Sequence, residues 1–445
     1  MSKKYSLNTA TAVVIANMIG TGVFGSLGYQ LLDLHDFSAI IILWVLGGAI
    51  ALCGAFAYSE LGAALPRSGG EYNFLTEIFH PSVGFLSGWV SAIIGFSAPI
   101  ALAASLLGGY FGNVIGGYDP RWIGATVIVG ITIIQSMDYR VGGGFQSFAT
   151  MIKIALILLF VICGFMFAHP QPVSFVPSHL TVTTMFSGAF AAALVYVNFA
   201  YSGWNASSYI AGEIRMPWRN IPLSIISGTA IVTLLYVLLN FIFLYVAPGK
   251  EMAGVQEVAF IPAKYIFGEN GGKVISLIIS LLLISTISSM ILAGPRVLQR
   301  MGEDFSIFQI ISHKNKHGIP ATAIWFQSAI ALVILFTSSF RTIMGYTTFV
   351  LTLFATLTVI GVIVLRFKNP KLNRPYKTFG YPFTTIFFVI ANVWFMYFWI
   401  TNNVMPSLIG VGIVAMGLVV YYIADYLSKN KNKSNSNHQP KAPVQ

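Results

Sequence analysis

About twelve apolar stretches, most of them 20 residues or longer, follow one another along the chain with only short polar connections between them. A helix of about 20 apolar residues crosses the roughly 30 Å hydrocarbon core of a bilayer. Hydrocarbon offers no partner to backbone N–H and C=O groups, so runs of this length must satisfy their own as helices. The segments expected to span are 8–32, 38–65, 84–115, 121–139, 144–168, 183–212, 222–247, 272–300, 320–339, 344–366, 382–401 and 405–427. Only 9% of the residues are charged, against about a quarter in soluble proteins. That balance excludes a water-soluble enzyme and sets the expected fold class as all-α and integral to the membrane. One transmembrane domain is expected over 1–427. Residues 428–445, rich in Lys, Asn and Ser, are expected to form a disordered tail.

The formal charge of +11 does not point to nucleic acid, because the basic residues are scattered over connections and do not share a face. They report orientation instead. With twelve spans, nineteen of the 25 lysines and arginines fall on the side of the two termini and five on the other, while Lys153 lies inside a span. The positive-inside rule then places both termini in the cytoplasm, in a plasma membrane or a bacterial inner membrane. No cleavable leader is apparent in Met1–Asn8. Cys53 and Cys163 both lie in apolar segments, and the seven histidines show no ligand spacing, so neither a metal nor another cofactor is expected.

Two spans carry weak points. Ile15–Phe24 places Gly20, Thr21 and Gly22 near mid-span, and Phe199–Ser208 sets the polar Ser202-Gly203 pair within apolar sequence. Glycine often serves only close helix packing in membranes. These two interruptions, however, lie in spans 1 and 6, five apart, and an odd separation reverses the direction of crossing. Interrupted helices at equivalent places of two inverted halves point to a transporter's binding site, here 1–168 against 183–366, with 382–427 adding two helices. A break frees N–H groups near Thr21, Gly22 and Val23 at the start of one half-helix, which suit a carboxylate. It also frees carbonyls around Met18, Ile19, Phe199 and Ser202, which suit an ammonium group. A ligand bearing both is an α-amino acid. Each dipole contribution is about 0.3–2 kcal/mol, modest enough for cargo to leave again.

The stretches Asn17–Phe24, Tyr58–Tyr72, Phe199–Trp204, Gly212–Pro222 and Ala293–Val297 together resemble the amino acid–polyamine–organocation superfamily, most of all the bacterial relatives of the L-type amino acid transporters. The resemblance implies twelve helices in a five-plus-five inverted repeat with broken helices 1 and 6 and two extra helices. It also implies that Thr21 and Gly22 hold the substrate carboxylate and that Gly20 allows the turn. Met18, Phe199 and Ser202 would offer carbonyls beside Gly203, and the Phe199 ring would cover bound substrate from outside. Family members often have Ser where this chain has Thr21, and Gly or Asp where it has Ser202.

Lys153 lies deep within span 5, where an unpaired charge costs at least about 2.5–3.5 kcal/mol. It must face protein or water. The resemblance implies that its ammonium takes the place of the sodium that bridges spans 1 and 8 in related carriers, bonding carbonyls of span 1 and coupling substrate binding to movement. Glu60, close in sequence to Arg67, and Glu213, close to Arg215 and Arg219, are expected to make structural ion pairs or inner-gate contacts in preference to transferring protons, and Asp138 to pair with Arg140. The residues placed near the pocket, Met18, Ser91, Phe96, Ala98, Asn198, Tyr201, Asn205 and Met290, include no carboxylate, which favours neutral amino acids. The expected activity is therefore secondary or exchange transport of amino acids, sodium-independent and by alternating access. Proton symport, uniport, and cationic amino acids or polyamines stay open as alternatives. A channel lacks a visible filter, and a membrane enzyme lacks a catalytic cluster. The expected partners are a small-molecule substrate and lipid. Without an outer-loop cysteine, no disulfide-linked ancillary subunit is expected.

Overall fold

The computed structural model describes residues 4–137, 140–316 and 318–437, without the side chains of 140–146, 306 and 429–437. The described residues form helices α1 (Leu7–Met18), α2 (Thr21–Gly25), α3 (Leu27–Asp33), α4 (Phe37–Ala64), α5 (Glu71–Ile78), α6 (Pro81–Val90), α7 (Ser97–Ile115), α8 (Pro120–Met137), α9 (Arg140–Phe167) and α10 (His179–Met185). They continue with α11 (Gly188–Tyr201), α12 (Ala206–Tyr209), α13 (Pro217–Val246), α14 (Gly249–Met252), α15 (Phe260–Ala293), α16 (Pro295–Asp304), α17 (Ala321–Thr337), α18 (Phe340–Lys368), α19 (Phe383–Asn402) and α20 (Val404–Asn437). No strand forms among them; an isolated parallel bridge joins Tyr5 to Ile214.

All twelve expected segments fall on helices. Among the described residues, nine helical stretches are long and apolar enough to cross a membrane, and the pair α10 and α11, bent by 70°, makes a tenth if counted as one. The 18-residue α8 and the 17-residue α17 are not among them. The count supported by length and composition is thus nine or ten, not twelve. Another difference lies at the end of the chain, where α20 runs to Asn437 through part of the expected disordered tail. Extending a helix that already exists needs no new nucleus, so a polar segment can follow its apolar part. Asp138 lies outside the described residues, and with it the expected Asp138–Arg140 pair.

Local chemistry sets the helix ends. Asp36 caps α4 by accepting from Ser38 N at 2.9 Å, and its second oxygen accepts from the Thr181 hydroxyl at 2.6 Å, which ties α10 to the start of α4. Pro81 and Pro217 occupy first-turn positions, where a missing N–H costs nothing. The central packing sets α4 against α13 and α7 against α15. Small residues allow the approach: a Cβ on Gly47 would collide with Val197 of α11. Leu158, Leu159, Ile162 and Met166 of α9, and Val411, Val419 and Tyr422 of α20, stay exposed, as suits lipid-facing surfaces.

Candidate functional site

Both expected breaks are present. Helix α1 stops at Met18, Ile19 and Gly20 are extended, and α2 restarts at Thr21. Helix α11 stops at Tyr201; Ser202 is extended and Gly203 takes φ +94°, a conformation that favours glycine. The breaks touch each other, since a Cβ on Gly203 would lie 3.0 Å from the Asn17 carbonyl oxygen. Gly22 is pressed even closer to the partner helix, where a Cβ would strike the Ala200 backbone of α11. Gly22→Ala is therefore expected to destabilise the fold by about 1–3 kcal/mol. Its melting temperature in detergent should fall relative to Gly112→Ala, because Gly112 has open space around it.

A cavity of about 100 Å³ opens beside the breaks, bordered by Asn17, Phe199, Ser202, Gly203 and Asn205. Space of that order admits a ligand of roughly six to ten heavy atoms, given that a water needs about 10–15 Å³ by the same measure. The Asn198 amide nitrogen, also on the wall, is buried without an acceptor among the described residues. Ser91 and Gly95 reach the wall because the long helical stretch from Pro81 to Ile115 contains a π-turn, with Phe96 N donating to Ser91 O at 3.0 Å. Such turns redirect side chains within a helix and recur at functional sites.

Among the residues expected to bind substrate, Phe199, Ser202 and Gly203 border this cavity, whereas Met18, Gly20, Thr21 and Gly22 are not on its wall. The Met18 carbonyl accepts a short hydrogen bond from the Tyr236 hydroxyl of α13. The Phe199 carbonyl accepts from both Ser202 N, at 3.0 Å, and Ser202 Oγ, at 2.7 Å. These carbonyls, expected to be spare, already have protein donors because the chain folds back on its own break. The N–H groups of Thr21, Gly22 and Val23 have no acceptor recorded among the described residues, as the first turn of a helix requires.

Lys153 is 1% exposed. Its Nζ donates to Ile19 O at 3.0 Å and Thr286 Oγ1 at 2.7 Å, with Ala16 O at 3.5 Å. Thr286 in turn donates to Ile19 O at 3.1 Å. One ammonium group thus joins the end of α1 to α15. Thr286 carries no signal in the sequence that distinguishes it from other threonines within spans.

The expected absence of a carboxylate from the pocket is overturned. Glu71 lies on the cavity wall and is buried, its Oε1 accepting from Tyr58 OH at 2.5 Å and Asn205 Nδ2 at 3.0 Å. The sequence places Glu71 in a connection; α5 folds back beneath the α11 break and brings it inward. The ion pairs also differ from those expected. Glu60 pairs with Arg366 and Arg374, Glu213 with Arg296, and Arg67 with Asp304. Proximity in sequence misled here because these helix ends converge from distant parts of the chain.

Aromatic contacts join α3, α11 and α18 at the end of the molecule opposite the Tyr5–Ile214 bridge. Tyr29 stacks on Tyr196 and Phe340 with centroids 5.8 and 6.0 Å apart, and Arg341 Nε donates to Tyr196 OH at 3.2 Å. The Gly254 N–H donates to Gly28 O at 2.7 Å, fastening α3 to the loop after α14.

The family model described as amino acid permease matches residues 5–424. The serine/threonine exchanger SteT of Bacillus subtilis (strain 168) is 28% identical over 428 residues, covering 95% of this chain and 97% of the relative. The b(0,+)-type amino acid transporter 1 of Mus musculus is 27% identical over 388 residues, 85% of this chain and 79% of the relative. The large neutral amino acids transporter small subunit 2 of Rattus norvegicus is 26% identical over 446 residues, 96% and 81% of the two chains. With the family model matched over nearly its whole length, the chain belongs to the amino acid permease family.

Proposed function

We propose that this protein is a sodium-independent exchanger of small neutral L-amino acids, working by alternating access in a twelve-span domain of two inverted five-helix repeats and two further helices. The observation that carries the proposal is the Lys153 ammonium between Ile19 O and Thr286 Oγ1. A fixed internal cation there holds the broken helix to α15 and leaves no call for a bound metal ion. The substrate carboxylate would meet the free N–H groups of Thr21, Gly22 and Val23 once α2 moves away from α11, with Gly20 as the hinge. Its ammonium would lie towards Met18, Phe199, Ser202 and Gly203, under the Phe199 ring. The size of the cavity favours substrates such as serine, threonine and alanine, in keeping with the serine/threonine exchange named for one relative.

Cys53 lies within α4 and Cys163 within α9, so the exchanger would work without a disulfide-linked subunit. Both termini would face the cytoplasm. Proteoliposomes loaded with unlabelled L-serine test the activity. Saturable uptake of labelled serine, accelerated by the internal load and changed less than about twofold when choline replaces sodium, is expected. Uptake that needs sodium, or flux that does not saturate, would overturn the proposal. Glu71 on the wall supports a second reading, transport of cationic amino acids. Stronger competition by lysine or arginine than by serine, threonine or alanine would establish that reading in place of the first.

A further inference from the structure

We propose that Glu71 is a proton site on the transport path, taking up a proton when the inner end of the cavity closes and releasing it when that end opens. The inference rests on the exchange reading above, and it adds a ligand, the proton, that the exchange reading does not contain. Glu71 is a buried carboxyl on the wall of the cavity, held by one side chain from α4 and one from the break between α11 and α12. Tyr58 belongs to α4, and Asn205 belongs to the break between α11 and α12.

The hydrogen bonds from Tyr58 and Asn205 both end on Oε1, which leaves Oε2 to carry the proton. The Ser87 hydroxyl of α6 is fully buried and faces the same carboxyl, towards which it donates while the carboxyl is ionised. It can accept from a protonated Oε2. No ion pair holds Glu71 among the described residues. The titratable groups that face it among the described residues are the phenols of Tyr58 and of Tyr209 on α12, and Thr358 of α18 places its hydroxyl beside Tyr58. Nearby charges are engaged elsewhere: Arg67 and Tyr72 with Asp304, Arg300 with Glu303, and Lys368 with the Ile78 carbonyl at 3.1 Å.

Glu71 lies in the connection between two spans, and burial pushes its carboxyl up to about 7 from the ordinary 4.5, against the pull of its donors. Opening the cavity to water at this end restores the ordinary value, because hydration removes the desolvation that raised it. The closed form therefore binds the proton more tightly. Acid stabilises the closed form, and that stabilisation disappears as pH rises through about 7. With these two values the closed form gains about tenfold over the open one between pH 8 and pH 6.

The experiment is serine exchange in proteoliposomes with the pH set on each side separately. On the side facing Glu71, assigned to the cytoplasm by the charge count, wild-type exchange is expected to slow up to about tenfold from pH 8 to pH 6. Glu71→Gln should run at one pH-independent rate close to the wild type's acid limit. Tyr58→Phe removes a donor to the carboxylate, so its midpoint should move to higher pH. A flat wild-type profile would overturn the proton site, as would a Glu71→Gln variant that keeps the wild-type profile. If Glu71→Gln does not fold, an unshifted midpoint in Tyr58→Phe overturns it instead. Absence of serine exchange at every pH would instead remove the exchange reading, which separates the two failures.

Discussion

Replacing Lys153 with methionine is expected to cut amino acid exchange by about 10- to 150-fold while leaving the protein folded and monodisperse in detergent. The factor corresponds to a charge-assisted hydrogen bond worth about 1.5–3 kcal/mol at the moving joint. Lys153 Nζ spends its donors on Ile19, at the end of α1, and on Thr286 of α15. Neither contact is needed to make a helix, since both helices complete their own ladders on either side. Methionine fills nearly the same volume without a charge to desolvate, and volume-conserving apolar exchanges cost less than about 1.5 kcal/mol. Ile19 O would keep its bond from Thr286 at 3.1 Å, so its carbonyl is not left orphaned. The variant thus separates a coupling role from a packing role. Counterflow of labelled serine measures the first and thermal stability in detergent the second. Near-normal counterflow in a stable variant would show that the ammonium only fills space.

Much of this arrangement is legible in the residues themselves. Runs of apolar side chains dictate helices wherever hydrocarbon is the solvent, so the positions of all twelve helical segments follow from composition along the chain. Their number as spans is less firmly written, because α17 is only 17 residues long and the 18-residue α8 is not apolar enough to stand with the others. The breaks at Gly20 and Gly203 are visible because small and polar residues interrupt those runs. Lys153 is visible for the opposite reason: a charge deep in a span has to be answered by something.

What answers it is not visible. Thr286 lies 133 residues further on, among many hydroxyls that merely bond back to their own helix. Glu71 was hidden for a related reason. A carboxylate in a polar connection looks solvated until α5 is seen folding under the α11 break, a consequence of tertiary packing that local pattern does not encode. The same holds for Met18 and Phe199, whose carbonyls are free in principle and are taken by Tyr236 and Ser202 once the chain closes around them.

Glu60 supplies the largest expected loss of stability. Its carboxylate, 1% exposed at the end of α4, accepts from Arg366 Nε at 3.0 Å and Nη2 at 2.6 Å, and from Thr378 N and Oγ1 at 2.7 Å each. Arg374 Nε adds charge at 3.3 Å without hydrogen-bond geometry, and Arg366 lies over the Tyr381 ring at 3.7 Å. One side chain therefore ties the ends of α4 and α18 to the connection 369–382. Glu60→Gln keeps the size but removes the charge, leaving two guanidinium groups crowded together with weaker acceptors.

Breaking a buried pair in this way costs about 3–5 kcal/mol. Arg366 is 24% exposed and can recover some hydration, which places the expectation at the lower end. The control is Glu303→Gln, which removes the partner of Arg300 at a more exposed site, where a pair is worth about 0–1 kcal/mol. Melting in detergent should fall clearly for Glu60→Gln and hardly at all for Glu303→Gln. Equal shifts would mean that the network around Glu60 is no stronger than a surface pair. Because Tyr58 precedes Glu60 by only two residues and donates to Glu71, a loosened α4 end should also weaken that bond. Glu60→Gln is accordingly expected to shift the midpoint of the exchange–pH profile upward, in the direction expected for Tyr58→Phe, and an unshifted midpoint would show that the two carboxylates act independently.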